Sequence, residues 1–298
     1  MDLNAIAKLA DSIWNGRDSF NEGFEELARY VYPQARGFES QANKGAEDRE
    51  YIWDSTPEEA ALTLSAALGS LLTTPSGNWF ALDLQGEDAP GGESGRWLTD
   101  VARAMLDAFN APNSLFYQEL NTFYMDLSVL AWAVLYSEYR DGEGLSFRAI
   151  SPNQCALAED ARGRVDTVVR RYEQSAGQLA EEFTPESLPE SVKEALKNDS
   201  QKLFKVNHIV LPRAKMPQEA KTEYMGGGGE KSPGDNGPHE FVSIVYIDKA
   251  EKPLSQRGFH ALPYVCPLWS KRSGAFYVRG CGHSPLPDIP VLNRVSLS

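Results

Sequence analysis

The spacing of hydrophobic residues changes along the chain, separating a helical first part from a strand-rich second part. Phe20, Phe24, Leu27, Ala28 and Val31 fall at i, i+4, i+7, i+8 and i+11. They form one apolar face, so the first 35 residues read as helix with a stop at Pro33. Residues 36–50 are polar and glycine-containing and read as a mobile loop. A second helix lies in the stretch IWDSTPEEAALTLSAALGSLLTTPSGNWFAL from Ile52 to Leu82. Thr56 suits its N-cap, Pro57 its first helical position, and Glu59 completes a Thr-x-x-Glu capping box. The helix is rich in Ala, Ser and Leu and carries no charge after Glu59, which predicts close packing on several sides. Thr74-Pro75-Ser76-Gly77 ends it, and Trp79-Phe80-Ala81-Leu82 is expected to run on as a strand.

Beyond a turn-rich break from Gly86 to Gly95, Trp97, Val101, Met105 and Phe109 restore helical spacing. Asn110 to Asn113 separates this helix from a longer one, Leu115 to about Tyr139. Its Phe116, Leu120, Phe123, Tyr124, Leu127, Leu130, Ala131 and Leu135 make it the expected central core helix. Gln118, Glu119 and Asp126 make it too polar to span a bilayer.

The pattern changes at Asp141-Gly142. Leu145 to Ile150 and Gln154 to Leu157 read as short strands, with a hairpin turn at Asp160-Ala161-Arg162-Gly163 and a return strand from Val165 to Tyr172. Gln174 to Phe183 reads as a short helix, and Pro185 to Asn198 contains another. Leu203 to Leu211, Phe241 to Ile247 and Tyr264 to Trp269 are further strands. Residues 214–239, with glycine at Gly226 to Gly229, form an exposed loop. A last helix is expected to start at Leu286-Pro287-Asp288-Ile289. The fold class is α+β, a helical N-terminal half (1–140) packed on a strand-rich C-terminal half (141–298), forming one continuous domain.

Composition narrows the possible functions. At 298 residues with 42% hydrophobic and 24% charged residues, the chain has ordinary globular composition. No apolar run reaches the roughly 20 residues of a membrane span. The first residues, MDLNAIAKLADSIWNG, are acidic and amphipathic, unlike a secretory signal, and imply a chain made and kept in the cytosol. Cys155, Cys266 and Cys281 are odd in number and far apart, a pattern of structural thiols. The net charge of −13 argues against tight static binding of nucleic acid, which needs a basic footprint. It is compatible with DNA as a sliding cargo, because an acidic wall offers no deep electrostatic well.

Candidate chemistry is sparse. The glycine run lacks the Lys-Ser/Thr of a phosphate loop, and Asp235-Asn236-Gly237 is a turn without the remaining ligands of a calcium loop. His208, His239, His260 and His283 show no metal-binding spacing on a helix. Gly282-His283-Ser284 near Asp288 has no nucleophile elbow. Glu181-Glu182 and Glu47-Asp48 with Glu50 are the acidic clusters a metal-dependent nuclease would use, but a solvated face is their default. Arg170-Arg171 and Lys271-Arg272 are the paired basic residues, able to meet a phosphate or a neighbouring subunit's carboxylate. No catalytic, cofactor-binding or metal-binding residue is assigned, and no enzyme is expected.

Five ordered segments resemble the head-to-tail connector (portal) proteins of short-tailed bacteriophages. These are Arg17 with Phe24 to Pro33; Asp54 to Leu82; Ser151 to Gln154 with Gly163 to Arg171 and the Gln178-Leu179 helix; His208 with Leu211-Pro212-Arg213; and Pro263-Tyr264 with Trp269 to Arg272, Tyr277, Arg279-Gly280 and Leu286 to Ile289. Val278 and Cys281 depart from the family pattern, and the chain stops where the family continues. The resemblance therefore implies the N-terminal half of a connector, dominated by the outer wing, from a truncated or frameshifted gene or one of two reading frames.

The resemblance further implies a homo-oligomeric ring, of about twelve subunits, at one capsid vertex of the virion and assembled in the host cytoplasm. Its expected partners are the major capsid and scaffolding proteins, the terminase, tail adaptor proteins and double-stranded DNA as non-specific cargo, with no membrane and no cofactor. Arg170, Arg171 and Asp160 are candidates for subunit contacts. The alternatives are a metal-dependent DNA-processing nuclease and a non-assembling connector remnant.

Overall fold

The apolar stripe of the first 35 residues folds as two helices, α1 (Leu3–Asn15) and α2 (Asp18–Val31), followed by a 3-10 turn at Pro33–Ala35. The computed structural model describes residues 3–38, 52–84, 92–140, 142–220, 239–271, 277 and 279–297. The single helix expected here is broken at Gly16-Arg17, whose N–H groups donate to the carbonyls of Ser12 (3.2 Å) and Trp14 (3.0 Å). Asp18 then places an acid in the first turn of α2, where the helix dipole favours it. Arg17 is buried at the break and donates to Asn21 Oδ1 at 2.9 Å and to the Cys155 carbonyl.

The chain divides into two compact units, Met1–Asn21 with Gln154–Pro263, and Glu22–Asn153 with Tyr264–Ser298. The first is a five-stranded antiparallel meander of β3 (Cys155–Glu159), β4 (Val165–Ser175), β5 (Leu203–Pro212), β6 (Phe241–Ile247) and β7 (Ser255–Phe259). Register pairs Val169 with Ile209 and Ile209 with Ile244, so these side chains share one face of the pleat. Leu3, Ile6 and Ala10 of α1 bury against that face, beside Val242, Leu211 and Tyr246. On β5 and β6 the alternate positions Val206 and Ile247 pack with α6 (Ala176–Glu182) and α7 (Glu190–Asn198) through Leu179, Val192 and Ala195. A capping box starts α6: Gln178 N–H donates to Ser175 Oγ (3.3 Å), and Ser175 N–H to Gln178 Oε1 (2.9 Å).

The β3–β4 turn forms as its sequence predicts. Asp160 Oδ1 accepts from the N–H groups of Arg162 (2.8 Å) and Arg164 (2.9 Å), and Gly163 takes φ 77°. The bond from Arg164 N–H leads the interactions that lower the Asp160 carboxyl to a pKa of about 2.

The second unit contains α2 from Glu22 onward, α3 (Thr56–Leu72), α4 (Gly92–Asn110), α5 (Phe116–Leu130) and α8 (Ile289–Leu297). A three-stranded antiparallel sheet runs in the order β2 (Gly144–Ile150), β1 (Val134–Arg140), β8 (Tyr264–Val265). Phe116, Leu120, Phe123 and Tyr124 of α5 pack with Leu135 and Phe147 of this sheet. A second ring cluster gathers Phe24, Phe38, Trp132 and Tyr277 at centroid separations of 5.2 to 6.0 Å from Phe24.

The α+β class holds, and four further local expectations are corrected. The long core helix to Tyr139 ends at Leu130: Ala131 turns left-handed (φ 68°), Trp132 bridges to Leu268, and VLYSEYR pairs as β1. Its aromatic and β-branched content suits a pleat better than a helix. Trp79 to Leu82 forms no strand; Trp79 instead stacks with Phe109 (5.8 Å) and Phe116 (6.1 Å). Helix α4 begins at Gly92, inside the predicted break, and buries Leu98 and Leu106, so Trp97 (62% exposed) lies outward of the expected stripe. Beyond β8, the strand expected to reach Trp269 is reduced to the Leu268 bridge. The expectations for residues 39–50, Gly86 to Gly91 and most of the 214–239 loop, including Gly226 to Gly229, fall outside the described residues.

Candidate assembly surface

Helix α3 is held at its start by a network that lies one residue away from the expected cap. Ser55, not Thr56, is the N-cap residue, and its hydroxyl donates to Glu59 Oε1 at 2.9 Å. Thr56 N–H is taken by Asp54 Oδ1 at 2.8 Å. A carboxylate reaches that orphan donor readily from two residues upstream, which displaces the Thr-x-x-Glu arrangement. Hydrogen bonds from the Thr56 side chain and N–H, together with Ser296, hold the Asp54 carboxyl below its ordinary pKa. Asn293 of α8 anchors the same segment, its Oδ1 accepting from the N–H groups of Trp53 (2.7 Å) and Asp54 (3.2 Å); Ser296 Oγ donates to Asp54 Oδ2 at 3.1 Å.

Contrary to expectation, α3 is not enclosed. Its inner edge alone is covered: Ala61 and Ser65 are buried, Leu68 packs on the α5 cluster, and Thr73 Oγ1 meets the Tyr124 hydroxyl at 3.0 Å. Gly69 faces the Tyr124 ring, where an added Cβ would sit 3.7 Å away. The outer face carries Ala60, Leu62, Thr63, Ala66, Ala67, Ser70 and Leu71, all exposed. Leu71 is 81% exposed, Leu62 54% and Leu72 53%. The hydroxyls on this face are turned inward, Thr63 Oγ1 donating to the Glu59 carbonyl at 2.8 Å and Ser70 Oγ to the Ala67 carbonyl at 3.0 Å. The helix thus shows water an apolar surface with most of its polar capacity spent on its own backbone.

The charged residues singled out from sequence are engaged within the chain. The Arg170 guanidinium lies 4.0 Å from the Tyr172 ring centroid and donates to Gln154 Oε1 at 3.4 Å. Arg171 pairs with Asp11 and stacks on Trp14 at 4.6 Å, while Arg17 covers the same indole at 4.4 Å. Asp160 holds Arg164 at 2.9 Å. Of the Lys271-Arg272 pair, Arg272 lies outside the described residues.

No nucleophile or metal centre is assembled from the other candidates among the described residues. His208 is buried in the sheet, with Nε2 2.8 Å from Ser243 Oγ. Burial, with Arg170 and Arg257 nearby, lowers its pKa to about 3. His283 Nδ1 accepts from Gly280 N–H at 3.2 Å, and burial beside Arg279 lowers its pKa to about 4. That ring nitrogen is therefore not available to a Ser284/Asp288 relay. The His239 and His260 rings lie 4.8 Å apart. Among the described residues no three His, Cys, Asp or Glu side chains gather as a metal site. Glu182 accepts from Gln174 at 2.7 Å on the exposed side of α6, and Glu47, Asp48 and Glu50 lie outside the described residues. Nothing among the described residues supports the nuclease alternative. Cys155, Cys266 and Cys281 are free thiols, and no described helix is long and apolar enough to cross a membrane.

Two buried carboxyls escaped the sequence reading. Glu25 accepts from Arg36 Nε (3.0 Å) and from the N–H groups of Gly37 and Phe38 (2.9 Å each). Asp126 is 2% exposed, and its Oδ2 has no hydrogen-bond partner. Burial pushes its pKa well above the carboxylate range, and Asp126 in turn adds to the burial that raises the Tyr32 phenol. Its spacing was a signal: Asp126 is three residues after Phe123 and four before Leu130, on the buried stripe of α5.

Known proteins resemble this chain over nearly its whole length. Over 279 residues it is 26% identical to the portal protein of Salmonella phage epsilon15, covering 93% of this chain and 48% of that protein. Over 286 residues it is 23% identical to the probable portal protein of Bordetella phage BPP-1, covering 94% of this chain and 49% of that protein. The chain thus spans about half the length of the curated relatives it matches. The family of bacteriophage head to tail connecting proteins matches residues 3–298, and with nearly every described element inside that match, the chain belongs to this family.

Proposed function

We propose that the chain is the wing part of a portal subunit, forming with its copies a ring at one capsid vertex through which double-stranded DNA enters during packaging and leaves during ejection. The family match across residues 3–298 carries this reading. In it, residues 1–140 and 141–298 serve as one continuous wing region of a subunit that does no covalent chemistry. About twelve copies close by rotation, so each subunit offers two different surfaces to its neighbours. The major capsid and scaffolding proteins, the terminase and tail adaptor proteins dock on the ring, which is built in the host cytoplasm and carried in the virion.

The net charge of −13 suits a conduit rather than a clamp. Phosphates passing an acidic wall release no counterions to it and gain no static affinity, so DNA slides under the force of a motor or of its own confinement.

The test is negative-stain electron microscopy of the purified chain with native mass determined on the same sample. Rings with a central hole, at a mass that is a multiple of 33.0 kDa, are the expected result. A folded species of 33.0 kDa alone overturns ring formation by this chain.

A further inference from the structure

We infer that α8 and the residues just ahead of α3 form a latch that opens and closes as one piece while the rest of the second unit stays folded. The inference goes beyond the ring reading and does not depend on it. Trp53-Asp54 and Asn293 meet here across 240 residues of sequence, and polar bonds hold them together. Asn293 is 5% exposed, and its Oδ1 accepts from Trp53 N–H (2.7 Å) and Asp54 N–H (3.2 Å). The second tie is divided. The Ser296 hydroxyl lies 3.1 Å from Asp54 Oδ2 and 3.2 Å from the Leu292 carbonyl oxygen, with one proton for both. Apolar contact adds little: Ile289 is buried, but Val291 (61%), Leu292 (44%) and Val295 (65%) are turned to water. The hydrocarbon whose exposure would oppose release is therefore already exposed. The polar bonds exchange for water at small net cost, and water is at hand, since Trp53 is 45% exposed.

Release does not stop at the side chains. Helix α8 has nine residues, and a helix that short does not hold its shape in water by itself. Once Asn293 lets go, α8 unwinds and its bonds to Trp53 and Asp54 go together. Asp54 carries the coupling to α3. Its N–H is taken by Asn293, its Oδ2 by Ser296, and its Oδ1 by the N–H of Thr56, the first helical residue (2.8 Å). Opening thus frees the Asp54 backbone and carboxylate at once and loosens the head of α3. The next turn survives, because Ser55 binds Glu59 twice: its hydroxyl donates to Oε1 (2.9 Å) and its carbonyl accepts from the N–H (3.0 Å). Helix α5, buried along most of its length, opens only with the unit as a whole. The latch switches the head of α3 between a covered and an open state without disturbing the core beneath.

Amide hydrogen exchange of the whole chain, read by mass spectrometry of overlapping peptides, tests this. In the wild type, segments 52–56 and 289–297 should show matching protection, about a hundredfold or more below that of 116–130. Asn293→Ala should lower the protection of both segments about tenfold or more, and Ser296→Ala should lower both by a smaller factor. Protection of 116–130 and the melting temperature should stay unchanged. Wild-type protection in 289–297 equal to that in 116–130 overturns the inference, since α8 then opens only with the whole unit. A variant that exposes 52–56 while 289–297 keeps its protection also overturns it, because the two would not move as one piece. So does a lower melting temperature or a loss of folding in Asn293→Ala, which would make the contact part of the core. Ring formation is read from mass and the latch from exchange, so the two readings fail separately.

Discussion

Replacing Glu25 by Gln should loosen the second unit in a pH-dependent way. The Glu25 carboxylate is nearly enclosed at 10% side-chain exposure and holds three donors, Arg36 Nε and the N–H groups of Gly37 and Phe38. Those bonds fix the turn that delivers Phe38, 5% exposed, onto the Phe24 ring. Gln keeps the shape and one acceptor oxygen, but it turns an NH2 toward a donor and removes the charge from all three bonds. A hydrogen bond to a charged group is worth about 1.5–3 kcal/mol, and an abandoned buried N–H costs about 1–3 kcal/mol. Arg36 is 28% exposed, and water screens its share. One abandoned N–H and two weakened bonds give a loss of about 2–3 kcal/mol for Glu25→Gln, and somewhat more for Glu25→Ala.

Burial alone would raise the Glu25 pKa, but the Gly37 N–H, the Arg36 guanidinium and the Phe38 N–H outweigh it and hold the group below its ordinary value. The stabilisation is therefore fully present above the unfolded pKa of about 4.3 and disappears as pH falls through the lower folded value. Near-ultraviolet circular dichroism of the Phe24, Phe38 and Trp132 cluster follows this unit through thermal unfolding. At about 2–4 °C per kcal/mol for a domain of this size, Glu25→Gln should melt about 4–12 °C lower at pH 7, and the gap should narrow as pH falls below about 4.3. A gap under about 1 °C at pH 7, or one that widens as pH falls below about 4.3, refutes the assignment.

Asp126→Asn should stabilise the protein, and more so as pH rises. With the folded pKa raised, the folded state keeps a proton that the unfolded chain releases, so wild-type stability falls from about pH 4 upward by up to about 1.4 kcal/mol per pH unit until the folded group ionises. Urea midpoints at pH 5 and pH 8 read the difference, and a constant gap would exclude a buried neutral acid. Gly282→Ala would place a Cβ 2.6 Å from the Val129 carbonyl oxygen and 3.3 Å from Leu27 Cδ2, a clash with backbone that should cost about 1–3 kcal/mol; an unchanged melting temperature would show that the 281–283 turn gives way. Ser175→Ala removes the acceptor for Gln178 N–H and should cost about 1 kcal/mol in the first unit, visible as faster amide exchange at Gln178.

The strands of the first unit were legible because each is a short apolar run bounded by a turn with its own chemistry, as at Asp160 to Gly163. The edge strand β7, SQRGF, was not, because its five residues hold one apolar side chain and its place depends on pairing with β6. The end of α5 was hidden for the opposite reason: Leu127, Leu130, Ala131 and Leu135 keep a helical period across a left-handed residue that leaves no mark in the sequence. The α3 surface was half legible. Its lack of charge was plain, and burial was inferred from it; a single chain supplies a cover for one edge only. Asp126 is polar in the sequence, and its period on α5 puts it inside; polarity on its own points to solvent, which hides such a residue. Family membership was legible through motif order, and among the described residues no three His, Cys, Asp or Glu side chains gather as a metal site.

The pairing of α1 with a sheet completed by β6 has a consequence for synthesis on the ribosome. Leu3, Ile6 and Ala10 are translated before their covering partners, which arrive with Val169, Ile209 and finally Val242 to Tyr246. At about 5–20 residues per second, the apolar side of the leading helix waits roughly ten to fifty seconds for its last partner. Throughout that interval a nascent chain displays the surface on which holdase chaperones act, and neighbouring polysome products display the same one. Yield of soluble protein should therefore depend on chaperone supply and on the pace of elongation up to Tyr246, more than on the final stability of either unit.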